Sequence, residues 1–247
     1  MAVLWQHQDQ DHFYEVRSAG KSIRLYLDGV LHSQHNPHQF FSGSVWDLLG
    51  LACLSVPPRQ EPMKVLVLGV GGGAIFHQIL KLFPNAAITG VELSKRNIEI
   101  GLRFFDLNKP GIRIQQGDGR RFVEAYQDTP FDLIIDDMFS NQEGDPVRVA
   151  ELTLKWFRQL RACLHPSGTI ALNFADRDEF LGSPLDLVAK ARALGIKSLQ
   201  SWSTPSCANR VIWTHFSQPP AHSLRQQLAS WPSLDCQRLK AVRRRLY

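Results

Sequence analysis

The 247-residue chain has no CxxC pair, and its four cysteines, Cys53, Cys163, Cys207 and Cys236, lie far apart in sequence. That excludes a zinc ribbon and a dithiol redox centre and fits unpaired thiols in a reducing compartment. No stretch approaches the ~18 consecutive apolar residues of a membrane helix. The longest apolar run, Val65 to Val70, is strand-sized. The opening MAVLWQHQDQDH turns polar and acidic too early for a secretory leader, so the expected location is the cytoplasm, with no membrane partner. Internal repeats and low-complexity tracts are missing as well. Hydrophobic residues make up 44% and charged residues 21%, which excludes a disordered chain and a coiled coil. The length suits one large or two small domains. Charge of one sign is also scarce: Lys and Arg total 28 against 23 acids, a net +5. That permits an anionic or nucleic-acid partner without demanding one. The single basic block, Arg243-Arg244-Arg245, reads as a solvated tail.

The pattern that is present changes at Pro57-Pro58. Before it, residues 13–17 and 23–27 read as two short strands, followed by the hairpin-turn signal Asp28-Gly29. A loop rich in His, Gln and Asn covers 31–39, and the apolar spacing over 42–55 predicts a helix capped by Ser42 or Ser44. After the prolines, strands and helices alternate. Strands are expected at 63–68, 87–91, 112–115, 131–135 and 169–174. Helices are expected at 74–83, 94–105, 120–126, 145–164 (with Asp145 as cap and Pro146 at its first position) and 183–194. Residues 196–202 and 210–216 read as an antiparallel hairpin at the sheet edge, and 221–230 and 236–245 as terminal helices. The fold class is therefore α/β, a Rossmann-like doubly wound sheet of the class I methyltransferase type preceded by a small N-terminal β-hairpin domain. The expected units are 1–58, 59–217 and a C-terminal helical extension, 218–247.

The chemistry gathers at the strand ends. Gly69, Gly71 and Gly73 sit between a buried strand and a helix, where glycine allows a tight turn and close approach to a ligand. The loop fits both a dinucleotide fingerprint and the loop of adenosylmethionine-dependent transferases. Glu92 ends the next strand, placed to accept the hydroxyls of a ribose. Gly117 and Asp118 follow the third strand; Asp118 is placed to accept an adenine amine or to cap the next helix. The Gly-Asp pair favours the adenosylmethionine class. Asp136 and Asp137 end the fourth strand at the edge where ligands bind in open α/β sheets, and one of them is expected to face the cleft as a general base. Adjacent strand residues point to opposite sides, so only one can do so. Asn173 and Asp176 follow the fifth strand. His32, His35 and His38 have loose metal-ligand spacing but no acidic or thiol partner near them, so surface or substrate-facing roles are favoured and no metal is expected.

These residues together resemble the spermidine synthase family of polyamine aminopropyltransferases. The resemblance covers about residues 13–217. It rests on Leu25-Tyr26-Leu27-Asp28-Gly29-Val30, the glycine loop, Val91-Glu92, Gly117-Asp118-Gly119 and Phe131 to Asp137. It implies an N-terminal β-domain that often dimerises, a nucleoside sulfonium donor (adenosylmethionine or its decarboxylated form) and a small-molecule acceptor, possibly an amine. Glu92 is then on the ribose and Asp118 near the adenine. Three positions depart from the family. Gly72 stands where an aspartate holds the donor's aminopropyl amine, which leaves room for the carboxylate of adenosylmethionine. Asp137 matches the first aspartate of an Asp-x-x-Asp motif, but Ser140 stands at the second. Thr204-Pro205-Ser206-Cys207 replaces Tyr-Pro-Ser-Gly. The expected function is alkyl transfer, aminopropyl or methyl, to an acceptor the sequence does not name, by an expected homodimer. The alternatives are an inactive nucleoside-binding scaffold and an RNA methyltransferase, the latter lacking the Asn-Pro-Pro-aromatic motif.

Overall fold

The computed structural model describes every residue except 143–144, 187, 219–223 and 232–235. Strands β1 (Ala2–Gln8), β2 (Phe13–Ala19), β3 (Ser22–Leu27) and β4 (Val30–His35) form an antiparallel sheet in the order β1-β2-β3-β4. Asp28 and Gly29 join β3 to β4, both at positive φ (50° and 82°), the conformation of a two-residue hairpin turn that Asp-Gly adopts readily. Two strands were expected here. The sheet has four because two further segments, Ala2–Gln8 and the expected loop from residue 31, pair at its edges.

Helix α1 (Val45–Gly50) continues as a 3₁₀ turn, Leu51–Ser55. Ser44 occupies its N-cap but makes no side-chain cap bond. Asp47, in the first turn, reaches back instead and accepts from the amides of Ser42 (3.2 Å) and Gly43 (2.6 Å). The carboxylate thus caps the turn that leads into the helix, bonding the two amides before the N-cap residue rather than that of Ser44 itself. The same carboxylate accepts from Gln78 Nε2 and so ties α1 to the next helix. Its burial pushes its pKa up, against these hydrogen bonds.

The second unit runs β5 (Lys64–Leu68), α2 (Ala74–Leu82), β6 (Ala87–Glu92), α3 (Lys95–Phe104), β7 (Ile112–Gln116), α4 (Gly119–Ala125) and β8 (Phe131–Asp136). It continues with β9 (Phe139–Gln142), β10 (Asp145–Arg148), α5 (Leu154–Ala162), β11 (Leu164–Phe174), α6 (Arg177–Gly182) and α7 (Val188–Ala193). The chain closes with β12 (Ser198–Ser203), β13 (Arg210–His215), α8 (Leu224–Leu228), a 3₁₀ turn at Gln237–Ala241 and β14 (Arg243–Leu246). The large sheet has the order β14-β12-β13-β11-β8-β5-β6-β7. Strands β11, β8, β5, β6 and β7 are parallel, and β13, β12 and β14 add antiparallel at one side. The order reverses between β5 and β8, which makes their carboxyl ends the switch point where such sheets bind ligands.

Alternation along β5 explains its unbroken apolar run. Val65 and Val67 pack into a core shared with α1, α2 and the N-terminal sheet, while Leu66 and Leu68 pack on the opposite face with α5. His35 of β4 stacks on His77 of α2 with ring centroids 3.9 Å apart, a further seam between the N-terminal sheet and the second unit.

Three expected elements differ. The helix expected over 145–164 begins only at Leu154, where Thr153 accepts from Trp156 N (3.1 Å); Asp145–Arg148 is instead a strand paired with Phe139–Gln142. The helix expected from Ser183 to Leu194 is shorter, Val188–Ala193, and α6 precedes it. The expected helix over 236–245 and its basic tail give way to β14, which pairs with β12 at the sheet's edge. Arg244 lies over the Trp202 ring at 5.7 Å, so aromatic packing holds what composition alone reads as loose. Of the helix expected over 221–230, residues 221–223 lie outside the described residues. Among the described residues, no helix is long and apolar enough to cross a membrane.

Candidate active site

A cleft of about 520 Å³ opens over the switch point. Gly69, Gly71, Glu92, Gly117, Asp118 and Asp137 all line it, bringing together positions spread over 69 residues of sequence, while Gly73 lies outside the lining. The N-terminal sheet closes the opposite side with Asp9, Asp11, His12, Tyr14 and His32.

The glycine loop turns through three positive φ values, 83° at Gly69, 53° at Gly71 and 77° at Gly73. At Gly69 a side chain would also meet the carbonyl of Asp137. Glu92 fastens this loop. Its Oε2 accepts from Val70 N (3.0 Å) and Gly71 N (3.1 Å). Its Oε1 accepts from Ser94 N (2.9 Å) and Asn97 Nδ2 (3.4 Å). The expected ribose acceptor is thus also the residue that shapes the loop. Asp118 N-caps α4, accepting from Arg120 N at 2.8 Å, and still lines the cleft. Burial raises its pKa, but the amides of Arg120 and Arg121 and the Arg120 charge outweigh that and hold it low.

The two adjacent carboxylates separate as strand geometry requires. Asp136 is fully buried and turned away from the cleft. Its Oδ2 accepts from Arg148 Nη2 (2.5 Å) and Trp156 Nε1 (2.8 Å). Arg148 also donates to the carbonyls of Ala150 and Asn173. Asp136, one of the two expected catalytic carboxylates, is therefore occupied in a structural ion pair beyond the reach of a bound acceptor. Asp137 faces the cleft and accepts from Asn173 Nδ2 at 2.7 Å. Burial pushes its carboxyl up to about 7. The Asn173 bond opposes that, Asp136 adds to it, Arg148 opposes it and Glu92 adds to it.

Gly72 does not open the space expected of it. It is buried and outside the cleft lining. A Cβ there would lie 2.7 Å from Ser33 Cβ and 2.9 Å from Phe105 Cε1. The N-terminal sheet fills the place where the resembling family carries its acid. Gly72→Asp is expected to lose about 1–3 kcal/mol of stability by overpacking. Thermal unfolding against wild type checks this; an unchanged midpoint would show that β4 yields freely.

Thr204 and Ser206 both donate to the carbonyl of Gly43 at 2.7 Å, so this segment braces the α1 cap and neither residue lines the cleft. Ser140 does line it. The three histidines part company. His32 lines the cleft, His35 is in the stack with His77, and His38 is exposed. Burial holds the His32 pKa below its usual value, and its Nε2 has no hydrogen-bond partner among the described residues. No group of His, Cys, Asp or Glu among the described residues is arranged to hold a metal. Asp176 caps α6 through Glu179 N instead. The sequence reading missed Asn209, Tyr14 and the Asp9–His12 turn. No local signal marks Asn209, whose partner is 36 residues away on another strand.

A family profile described as "Methyltransferase domain" matches residues 59–223. The chain belongs to the methyltransferase domain family. Its relatives include spermidine synthase homologues, and its fold is that of the class I methyltransferases. Polyamine aminopropyltransferase 2 of Hyperthermus butylicus is 29% identical over 159 residues, 62% of this chain and 49% of that protein. The eEF1A lysine and N-terminal methyltransferase homolog of Drosophila melanogaster is 30% identical over 174 residues, 67% of this chain and 25% of that protein. The methyltransferase domain chain thus spans about half or less of these two relatives' length. Among solved structures, a probable spermidine synthase from Corynebacterium glutamicum superposes with a TM-score of 0.73 at 17% identity, covering 92% of this chain and 87% of that one.

Proposed function

We propose that this chain moves an alkyl group from a nucleoside sulfonium donor to an amine, with Asp137 accepting the amine's proton. The observation that carries this reading is the Asp137 carboxylate itself, facing the cleft at the switch point with its pKa near 7. A carboxyl at that value is partly ionised at neutral pH and is a far better base than an ordinary aspartate. The donor supplies an activated carbon: the amine nitrogen bonds to it, the carbon–sulfur bond breaks, and the sulfur leaves as a neutral thioether. The chain's task is to align the acceptor, exclude water and take the proton.

The charge of the cleft favours the decarboxylated donor and aminopropyl transfer. The amides of Val70 and Gly71 are engaged by Glu92. Among the lining residues Arg120 is the one Lys or Arg, and it pairs with Asp118 at 3.6 Å, at the end expected to hold the adenine. A donor carboxylate near the glycine loop would meet carboxylates rather than cations. Affinity for the nucleoside is tested by calorimetric titration with decarboxylated adenosylmethionine, adenosylmethionine, methylthioadenosine and NAD. The decarboxylated donor is expected to bind tightest. Preference for adenosylmethionine would redirect the reading to methyl transfer. Binding of NAD alone, or of none, would overturn it.

A further inference from the structure

Asp137 is the end of a side-chain relay. Asn173 Nδ2 donates to Asp137 Oδ1 at 2.7 Å, and Asn209 Nδ2 donates to Asn173 Oδ1 at 3.1 Å. The three residues sit at one edge of three neighbouring strands: Asp137 directly after β8, Asn173 in β11, and Asn209 directly before β13. All three line the cleft.

A carboxamide has a donor end and an acceptor end of nearly the same shape, so its neighbours decide which way it faces. Asn209, itself a carboxamide, biases that choice for Asn173 in the arrangement the structure shows, with its NH₂ end on the Asn173 oxygen. An N–H directed at the Asn173 oxygen leaves only the NH₂ end for Asp137. That end bonds to a carboxylate. Were the amide reversed, its oxygen would meet Asp137, and only the protonated acid could bond to it. A donor to the charged form favours ionisation, and its loss disfavours it.

We propose that Asn209, acting through Asn173, is a positioning residue that fixes which amide end meets Asp137, and thereby holds this carboxylate ready to accept a proton. The relay engages Oδ1 and leaves Oδ2 as the oxygen for the acceptor. The proposal rests on the reading of Asp137 given above, but its test needs neither donor nor acceptor.

The full chain, labelled with ¹³C at the aspartate carboxyl carbon, is titrated by NMR without any ligand; Asp137→Asn assigns the signal. Asn173→Ala is expected to raise the Asp137 midpoint by about one unit, a tenfold change in the protonation ratio. Asn209→Ala is expected to raise it by roughly half a unit. The double variant is expected to move no further than Asn173→Ala alone, because Asn209 has nothing left to act on. Asn209→Ser, which keeps a hydroxyl but falls short of Asn173, serves with the same expectation if the alanine variant does not fold. An unmoved or lowered midpoint in either single variant overturns the proposal. So does a double variant whose shift is the sum of the two. A failed donor titration would remove the transferase reading and leave this measurement standing.

Discussion

Asp137→Asn is expected to slow transfer sharply and, at the same time, to make the protein harder to unfold at pH 8. The folded protein holds the Asp137 proton up to about pH 7, while the unfolded chain releases it near the ordinary value of about 4. The folded state therefore binds the proton more tightly. Between these two values stability falls as the pH rises, and above pH 7 the full cost of ionising a desolvated carboxyl is present. Asparagine has no charge to desolvate and keeps the oxygen that accepts from Asn173. A gain of roughly 1–3 kcal/mol at pH 8 is expected, with little gain at pH 4. Turnover is expected to fall by about 10²-fold or more, as for the loss of a general base. Urea unfolding of both proteins at pH 4, 6 and 8 checks the first part. Parallel pH dependences in the two proteins would show that Asp137 is not the strained group.

Arg148→Ala is expected to be strongly destabilising. Arg148 and Asp136 are both buried, at 8% and 0% exposure, and the bond between them replaces the water each has lost. Without the guanidinium, Asp136 keeps only Trp156 Nε1, and its Oδ1 already has no partner among the described residues. Removing one partner of a buried pair costs about 3–5 kcal/mol. Replacing both, as Asp136→Leu with Arg148→Met, is expected to recover most of that, because two apolar groups leave no buried charge. Chemical unfolding of the single and double variants decides the matter. A loss under 1 kcal/mol for Arg148→Ala would mean that water reaches Asp136.

How much of this was legible beforehand depends on the range of the interactions. The parallel core was legible because β5 carries one apolar residue after another, and only a strand covered on both faces needs that. The positions of Gly69, Glu92, Asp118 and Asp137 were legible because each lies at, or within two residues of, the end of a strand. The hairpin of β9 and β10 was not. Asp145-Pro146 matches a helix start, and pairing with Phe139–Gln142 overrides that local signal. Strand β14 was hidden for a similar reason: three arginines read as solvated until Trp202 and β12 are placed beside them. The choice between Asp136 and Asp137 turned on Arg148 and Trp156, which lie 12 and 20 residues further along the chain.

The crowding at Gly72 bears on what this lineage can become. An acid introduced there would collide with Ser33 and Phe105, from two different parts of the chain. An acidic residue at 72 is therefore coupled to positions 33 and 105, and a change at 72 alone is unfavourable until these neighbours give way. Substitutions in contact do not add independently. The glycine is held in place by its neighbours: Ser33 and Phe105, more than its own chemistry, set what a single substitution at 72 can introduce.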